Sequence, residues 1–149
     1  MASGTFKFFG KGFLKIMQQG TIDLESDTIY VMLTTVSYVP NQDTHEFRSD
    51  VTNEVSGTGY STGGLEVTNK SLSYDSGTEQ VRWISSTDNE WTGSTITGAR
   101  VAVWYKSTGS AATDPLIGYA VFDGDVSTID STMKLDVDAT YGIGAIDLT

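Results

Sequence analysis

From residue 28 onward the sequence is divided into short apolar runs rich in β-branched and aromatic residues, separated by turn-forming stretches. The runs are TIYVMLTTV (28–36), GLEVTNKSLSY (64–74), QVRWI (80–84), ARVAVWYKS (99–107), PLIGYAVF (115–122), MKLDVD (133–138) and IGAIDL (143–148). In QVRWI the period of two puts Val81 and Trp83 on one side. In MKLDVD it sends Met133, Leu135 and Val137 inward and Lys134, Asp136 and Asp138 outward. YDSGTE (74–79) carries a turn signal. SYVPNQDTHEFRSDVTN (37–53) reads as a polar loop in which Pro40 forces Val39 into an extended conformation. This pattern predicts a mainly β chain: an antiparallel β-sandwich, with the jelly roll as one candidate topology, forming a single domain over residues 21–149.

The first twenty residues break the pattern and read as one short helix. At 100° per residue Phe6, Phe9, Phe13, Ile16 and Met17 share a face, and Lys7, Lys11 and Lys15 share the opposite one. Ser3 or Thr5 is placed to cap its start and Gly20 to end it. Gly10 and Gly12 each weaken such a helix by roughly 1 kcal/mol, so it needs a surface to lean on. Phe6, Phe9, Phe13 and Met17 are therefore candidate interface residues, towards the same chain's sandwich or a neighbouring subunit.

Totals restrict the function. A chain of 149 residues suits one core. With no cysteine there is no disulfide framework and no thiolate chemistry. The net charge of −10 opposes binding to a nucleic-acid backbone. No apolar run approaches the roughly 20 residues that span a bilayer, and lysines interrupt the first apolar stretch, unlike a secretory signal. The expectation is a mature soluble protein with no nucleic-acid or membrane partner.

Candidate chemistry is sparse. In EVSGTGYSTGG (54–64), Gly57, Gly59, Gly63 and Gly64 match neither GxGxxG nor a phosphate loop ending in GK[ST], which predicts a backbone-shaped loop with Tyr60 packed beneath it. His45 is the single histidine, which rules out histidine-rich metal sites, and its polar surroundings predict a solvated side chain. FDGDVSTID (122–130) offers Asp123, Asp125 and Asp130, but Thr128 and Lys134 stand where a calcium loop needs Gly and Glu, so it reads as a carboxylate-rich turn. Trp83 and Trp104 lie in strand patterns and read as core. Trp91, in TDNEWTGST, is read as a loop residue, either an anchor or exposed. His45, Phe47, Tyr60 and Trp91 are the candidate exposed contact residues, and neither cofactor nor metal is expected.

Several stretches in order resemble a family of small virion proteins of tailed bacteriophages. They are QQGTIDLESDTIYVMLTT, SYVPNQDTHEFRSDVTNEVSGTGYSTGG, EWTGSTITGARVAVWY, PLIGYAVFDGD and YGIGAIDL, and they cover nearly the whole chain. The resemblance implies a non-catalytic β-sandwich of the virion, made in the host cytoplasm. Its favoured role is capsid decoration, or cement: binding the major capsid protein on the outside of the head shell, commonly as a homotrimer. The alternative is a tail- or fibre-associated receptor- or glycan-binding module. A third class, a glycoside hydrolase with paired carboxylates, lacks any Asp or Glu in a marked setting.

Overall fold

The computed structural model describes residues 3–136 and 142–148. Its elements are β1 (Gly4–Phe8), α1 (Gly10–Met17), β2 (Ile29–Thr34), a 3-10 turn (Arg48–Asp50), β3 (Leu65–Glu66), β4 (Lys70–Asp75), β5 (Gln80–Ser85), β6 (Asn89–Lys106), β7 (Leu116–Leu135) and β8 (Gly144–Asp147). They form two antiparallel sheets, β1-β7-β6-β2-β3 and β4-β5-β8. The chain is thus mainly β, with one short helix, in a two-sheet sandwich.

Alternation along the central strands explains why their sequences are apolar nearly throughout. Ile29, Val31 and Leu33 of β2 and Ala102 and Trp104 of β6 face the smaller sheet, joining Trp83, Ile117 and Ile143 in the main core. Their neighbours Met32, Val101, Val103 and Tyr105 face the other way, into a second core with Phe9, Tyr38, Leu116 and Tyr119. A strand buried on both faces loses the polar half of its pattern. The chain from 35 to 53 covers the second core with Tyr38 and Val51, and beyond it Val55 and Tyr60 return to the main core; Thr35 N–H to Asn53 O (2.9 Å) and Val55 N–H to Leu33 O (3.0 Å) hold the segment. Each fully buried aliphatic or aromatic side chain contributes about 1.5–3 kcal/mol, so the two cores dominate the stability.

Strands β6 and β7 run further than the apolar pattern suggests. Most of TDNEWTGST (87–95) and FDGDVSTID (122–130), expected as loop and turn, belongs to one ladder from Asn89↔Leu135 to Tyr105↔Leu116. The ladder has register shifts between Trp91 and Ala99, and bulges of this kind let a long strand pair bend over a core. The buried residues here are the inward Trp91, Ile96, Ala99 and Met133, with the polar Asn89 and Ser94, while exposed Ser, Thr and Asp fill the outer face. Met133 and Leu135 point inward as the alternation predicts. Val137 and Asp138, and Tyr141 of the stretch YGIGAIDL, lie outside the described residues.

The N-terminal segment differs from the single helix expected. Residues 4–8 are a strand paired with β7 from Gly4↔Phe122 to Phe8↔Gly118, and the helix begins only at Gly10, with Phe9 as an N-cap that makes no side-chain cap. Two glycines decide this. Gly10 and Gly12 remove the propensity to extend the helix backwards, whereas Phe6 and Phe8 alternate well enough to join the sheet. Gly12 lies directly against the Leu116 carbonyl, where a Cβ would collide, which fixes α1 onto β7. The helix ends at Met17, with Gln18 N–H bonded to Leu14 O (3.0 Å), and Gly20 follows at φ +75°.

Candidate functional site

The four residues expected on one helical face separate into different environments. The Phe6 ring enters the main core edge-on to Phe8 (4.9 Å between centroids), Trp104 (5.3 Å) and Trp83 (6.1 Å). Phe9 goes to the opposite side of the larger sheet, 4.8 Å from the Tyr119 ring, with its N–H on Ile117 O. Phe13 is half-buried against Phe8 (5.2 Å). Met17 is 70% exposed. The helix coincidence fails because strand and helix periods meet at Phe9, where the chain changes direction.

Beside them an open groove of about 370 Å³ runs between the edge of β1 and the edge of β8, lined by Phe6, Lys7, Phe8, Phe13, Gln42 and Ile146. Gln42 Nε2 donates to Phe8 O at 2.7 Å, so a loop side chain satisfies part of the exposed β1 edge. The lining has no carboxylate, imidazole or hydroxyl in catalytic array. It suits an apolar side chain rather than a reacting group.

The contact loop is more firmly held than its polarity suggests. His45 is half-buried, not solvated. Its Nδ1 accepts from Asn41 N–H (3.2 Å), which leaves Tyr38 Oη–H as the second donor (2.9 Å) and places the ring proton on Nε2. Burial, then the negative charge of Asp50, pushes the Tyr38 phenol well above its ordinary range. Phe47 forms a β-bridge to Pro115, and the Lys15 ammonium sits 5.4 Å from its ring centre. Lys15 and Lys11 both reach Glu46, at 2.5 and 3.2 Å, and those hydrogen bonds hold the Glu46 carboxyl below its usual value. Asp50 is lowered too, because its carboxylate accepts the N–H groups of Glu46 (2.8 Å) and Phe47 (3.0 Å).

Trp91 belongs to the core: it lies on β6, is 2% exposed and stacks on Tyr60 at 5.9 Å. Tyr60 packs beneath the glycine loop as expected. Its oxygen accepts Leu33 N–H (3.0 Å) and donates to Glu54 Oε1 (2.8 Å), which also accepts Gly63 N–H (2.6 Å). Desolvation drives the Tyr60 phenol far upward. All four glycines of the run have positive φ, and Gly57 and Gly64 press on the Thr95 and Val31 carbonyls. The run brings backbone against backbone and presents no phosphate cradle.

The expected carboxylate turn is also spent on structure. Asp123 accepts the Ser3 N–H (3.0 Å), Asp125 pairs with Arg100 (3.0 Å), and Asp130 sits at φ +44° in the β7 irregularity. Among the described residues no group of three or more His, Cys, Asp or Glu side chains is placed to hold a metal ion. No described helix is long and apolar enough to cross a membrane. Sequence reasoning missed Arg48, Glu54 and Asp114, the polar anchors of the covering loop. It also missed Gln42 and Ile146 at the groove, since no local spacing joins residues so far apart.

Comparisons with protein-family models, with curated proteins and with solved structures find no match to this chain. Fold and site define it only as a two-sheet antiparallel β-sandwich with a short N-terminal helix.

Proposed function

We propose that the chain is a non-catalytic structural protein of a tailed-phage virion, a decoration protein seated on the outside of the head shell. The observation that carries this reading is the ordered set of sequence stretches, from QQGTIDLESDTIYVMLTT to YGIGAIDL, that resembles such proteins along nearly the whole chain. The geometry supports it in two ways. The best-held acidic and phenolic groups anchor loops rather than converge on a reaction centre, and the groove beside β1 is apolar. A protein that binds only the assembled shell stabilises it by mass action, and several weak contacts made together are sufficient. The glycan-binding alternative is less well supported, because Trp91, its aromatic platform, is buried under Tyr60.

The test is direct. Purified protein is mixed with heads of the source phage that lack it, and pelleting and cryo-electron microscopy then report whether regular density is added to the outer shell. Binding to tails, to glycans, or to neither would overturn the reading.

A further inference from the structure

We propose that His45 is a proton-operated latch, which fastens the turn 41–45 to the corner between β1 and α1 while its ring is neutral and releases it when the ring is protonated. Gln42 joins that turn to the corner at two points. Its carbonyl accepts Gly10 N–H (3.0 Å) at the start of the helix, and its Nε2 donates to Phe8 O (2.7 Å) on the strand. The turn that presents Gln42 is closed by His45. The peptide N–H of His45 donates to Asn41 O (3.1 Å), and its ring Nδ1 accepts Asn41 N–H (3.2 Å). Asn41 Oδ1 adds bonds from Asp43 N–H (3.1 Å) and Thr44 N–H (3.0 Å). The half-buried ring stacks on Tyr38 (5.6 Å) and lies 6.4 Å from Phe9, so packing holds its plane while solvent protons can still reach it.

Tyr38 Oη–H and Asn41 N–H both point at the Nδ1 lone pair, and a proton on Nδ1 removes it. Tyr38 can reverse, because a hydroxyl accepts as well as donates. Asn41 cannot, because a peptide N–H only donates. Turning the ring over does not help, since both nitrogens of an imidazolium carry protons. Protonation therefore sets N–H against N–H, and the turn that carries Gln42 has to move. The charges nearby do not mask this. Hydrogen bonds hold Glu46 and Asp50 below their ordinary range, and burial holds Tyr38 and Tyr119 of β7 above theirs. Lys11 and Lys15 of α1 are bonded to Glu46, and Arg48 to Asp114. Asp43 on the turn and Lys7 on β1 belong to classes that ordinarily titrate near pH 4 and above pH 10. Imidazole is the side chain that ordinarily titrates between pH 5 and 8, and the chain has one. Asp50, whose carboxylate interacts with the ring's charge, attracts the protonated form, which confines the conflict to the Asn41 bond and makes the change local.

Nuclear magnetic resonance of the purified full chain tests this without any head shell, so its outcome is separate from that of the virion reading. Amide exchange, corrected for the intrinsic effect of pH, is followed from pH 7.5 to pH 5 together with the imidazole signals. Protection of the Asn41 and Gly10 N–H groups should fall at least tenfold, with the same midpoint as the imidazole titration. Protection of Val67 and Ile143, bonded to Ile29 O and Trp83 O in the main core, should not change. His45→Asn offers a neutral side-chain oxygen in place of Nδ1 and should abolish the pH dependence. Should that variant fold poorly by circular dichroism, the parent carries the test alone, through the shared midpoint of the imidazole and the two amides. Protection that stays level in the parent, amides that follow a midpoint other than that of the ring, an equal fall at Val67 and Ile143, or a folded His45→Asn variant that loses protection as the parent does would each overturn the latch.

Discussion

Arg48 Nε donates to Asp114 Oδ2 at 2.7 Å across 66 residues of sequence, tying the loop that covers the second core to the β6–β7 connection. The Asp114 side chain is 1% exposed, yet its carboxylate is fully engaged: Thr108 N–H (2.6 Å) and Thr108 Oγ1–H (2.9 Å) donate to its other oxygen. Arg48 also lies 5.0 Å from the Tyr105 ring centre. Removing one partner of a buried ion pair leaves the other charge uncompensated, at a cost of about 3–5 kcal/mol. Arg48→Ala should therefore lose about 3 kcal/mol in urea denaturation, the lower figure because Thr108 keeps its two hydrogen bonds.

The same site sets an acid dependence. Burial alone would raise Asp114, but the Thr108 donors and the Arg48 guanidinium outweigh it and hold the carboxyl below its ordinary value. A depressed carboxyl contributes stability that is complete above the unfolded value of about 3.9 and is lost as pH falls below it. Urea midpoints should fall between pH 4 and pH 3, with Asp50 and Glu46 contributing in the same direction. Asp114→Asn should start lower at pH 7 and show a shallower fall. Parallel pH profiles for parent and variant would contradict the assignment.

Tyr60 joins three segments through one oxygen and one ring. Tyr60→Phe keeps the stack on Trp91 but leaves the Leu33 N–H, inside the core, without its acceptor. An unsatisfied buried donor costs about 1–3 kcal/mol. The variant should be destabilised within that range and should keep its tryptophan emission maximum, because the indole environment is unchanged.

What could be read from the sequence follows from burial on one face or two. β2 and the second half of β6 are evident because both faces are buried and the runs are apolar throughout. The first half of β6 was hidden: in TDNEWTGST the buried residues are Asn89, Trp91 and Ser94, two of them polar, and the outward Thr and Gly mimic a loop. At the N-terminus the spacing of Phe6, Phe9 and Phe13 fits a helix, while Phe6 and Phe8 fit a strand equally well. Gly10 and Gly12 were the residues that discriminated. The loop 37–53 was recognisable as a loop, but not what fastens it, because Arg48 and Asp114 share no local pattern. The groove at β1 and β8 was invisible for the same reason: it joins the two ends of the chain.

Two glycines give a controlled comparison. Gly20 and Gly64 have similar positive φ, +75° and +82°, but nothing lies within 4 Å of a Cβ on Gly20, whereas a Cβ on Gly64 would strike the Val31 carbonyl. Gly20→Ala should cost only the left-handed backbone penalty, about 1–2 kcal/mol. Gly64→Ala adds a collision with a β2 backbone that cannot yield, and should reduce the soluble folded yield or lower the melting temperature well beyond the Gly20 variant. Equal losses would mean that the loop moves away from β2 without cost.

Phe6 is the joint between the two sheets at their open side. Its ring rests on Gly118 of β7 and on Gly144 of β8, and a Cβ at either glycine would enter the space of the ring. Trp83 and Trp104 close the site from the smaller and the larger sheet. Phe6→Ala should cost about 3 kcal/mol, the low end for an aromatic truncation because the ring is half-buried. Gly144→Ala should also destabilise, by displacing the ring. The double substitution should cost less than the sum of the two, by about 1 kcal/mol or more, since the new methyl then occupies the space vacated by the ring. Urea titrations followed by tryptophan fluorescence measure all four species, with Trp83 and Trp104 as reporters beside the site. Strict additivity would show that the ring of Phe6 does not bear on Gly144, and that the sheets are joined there by other contacts.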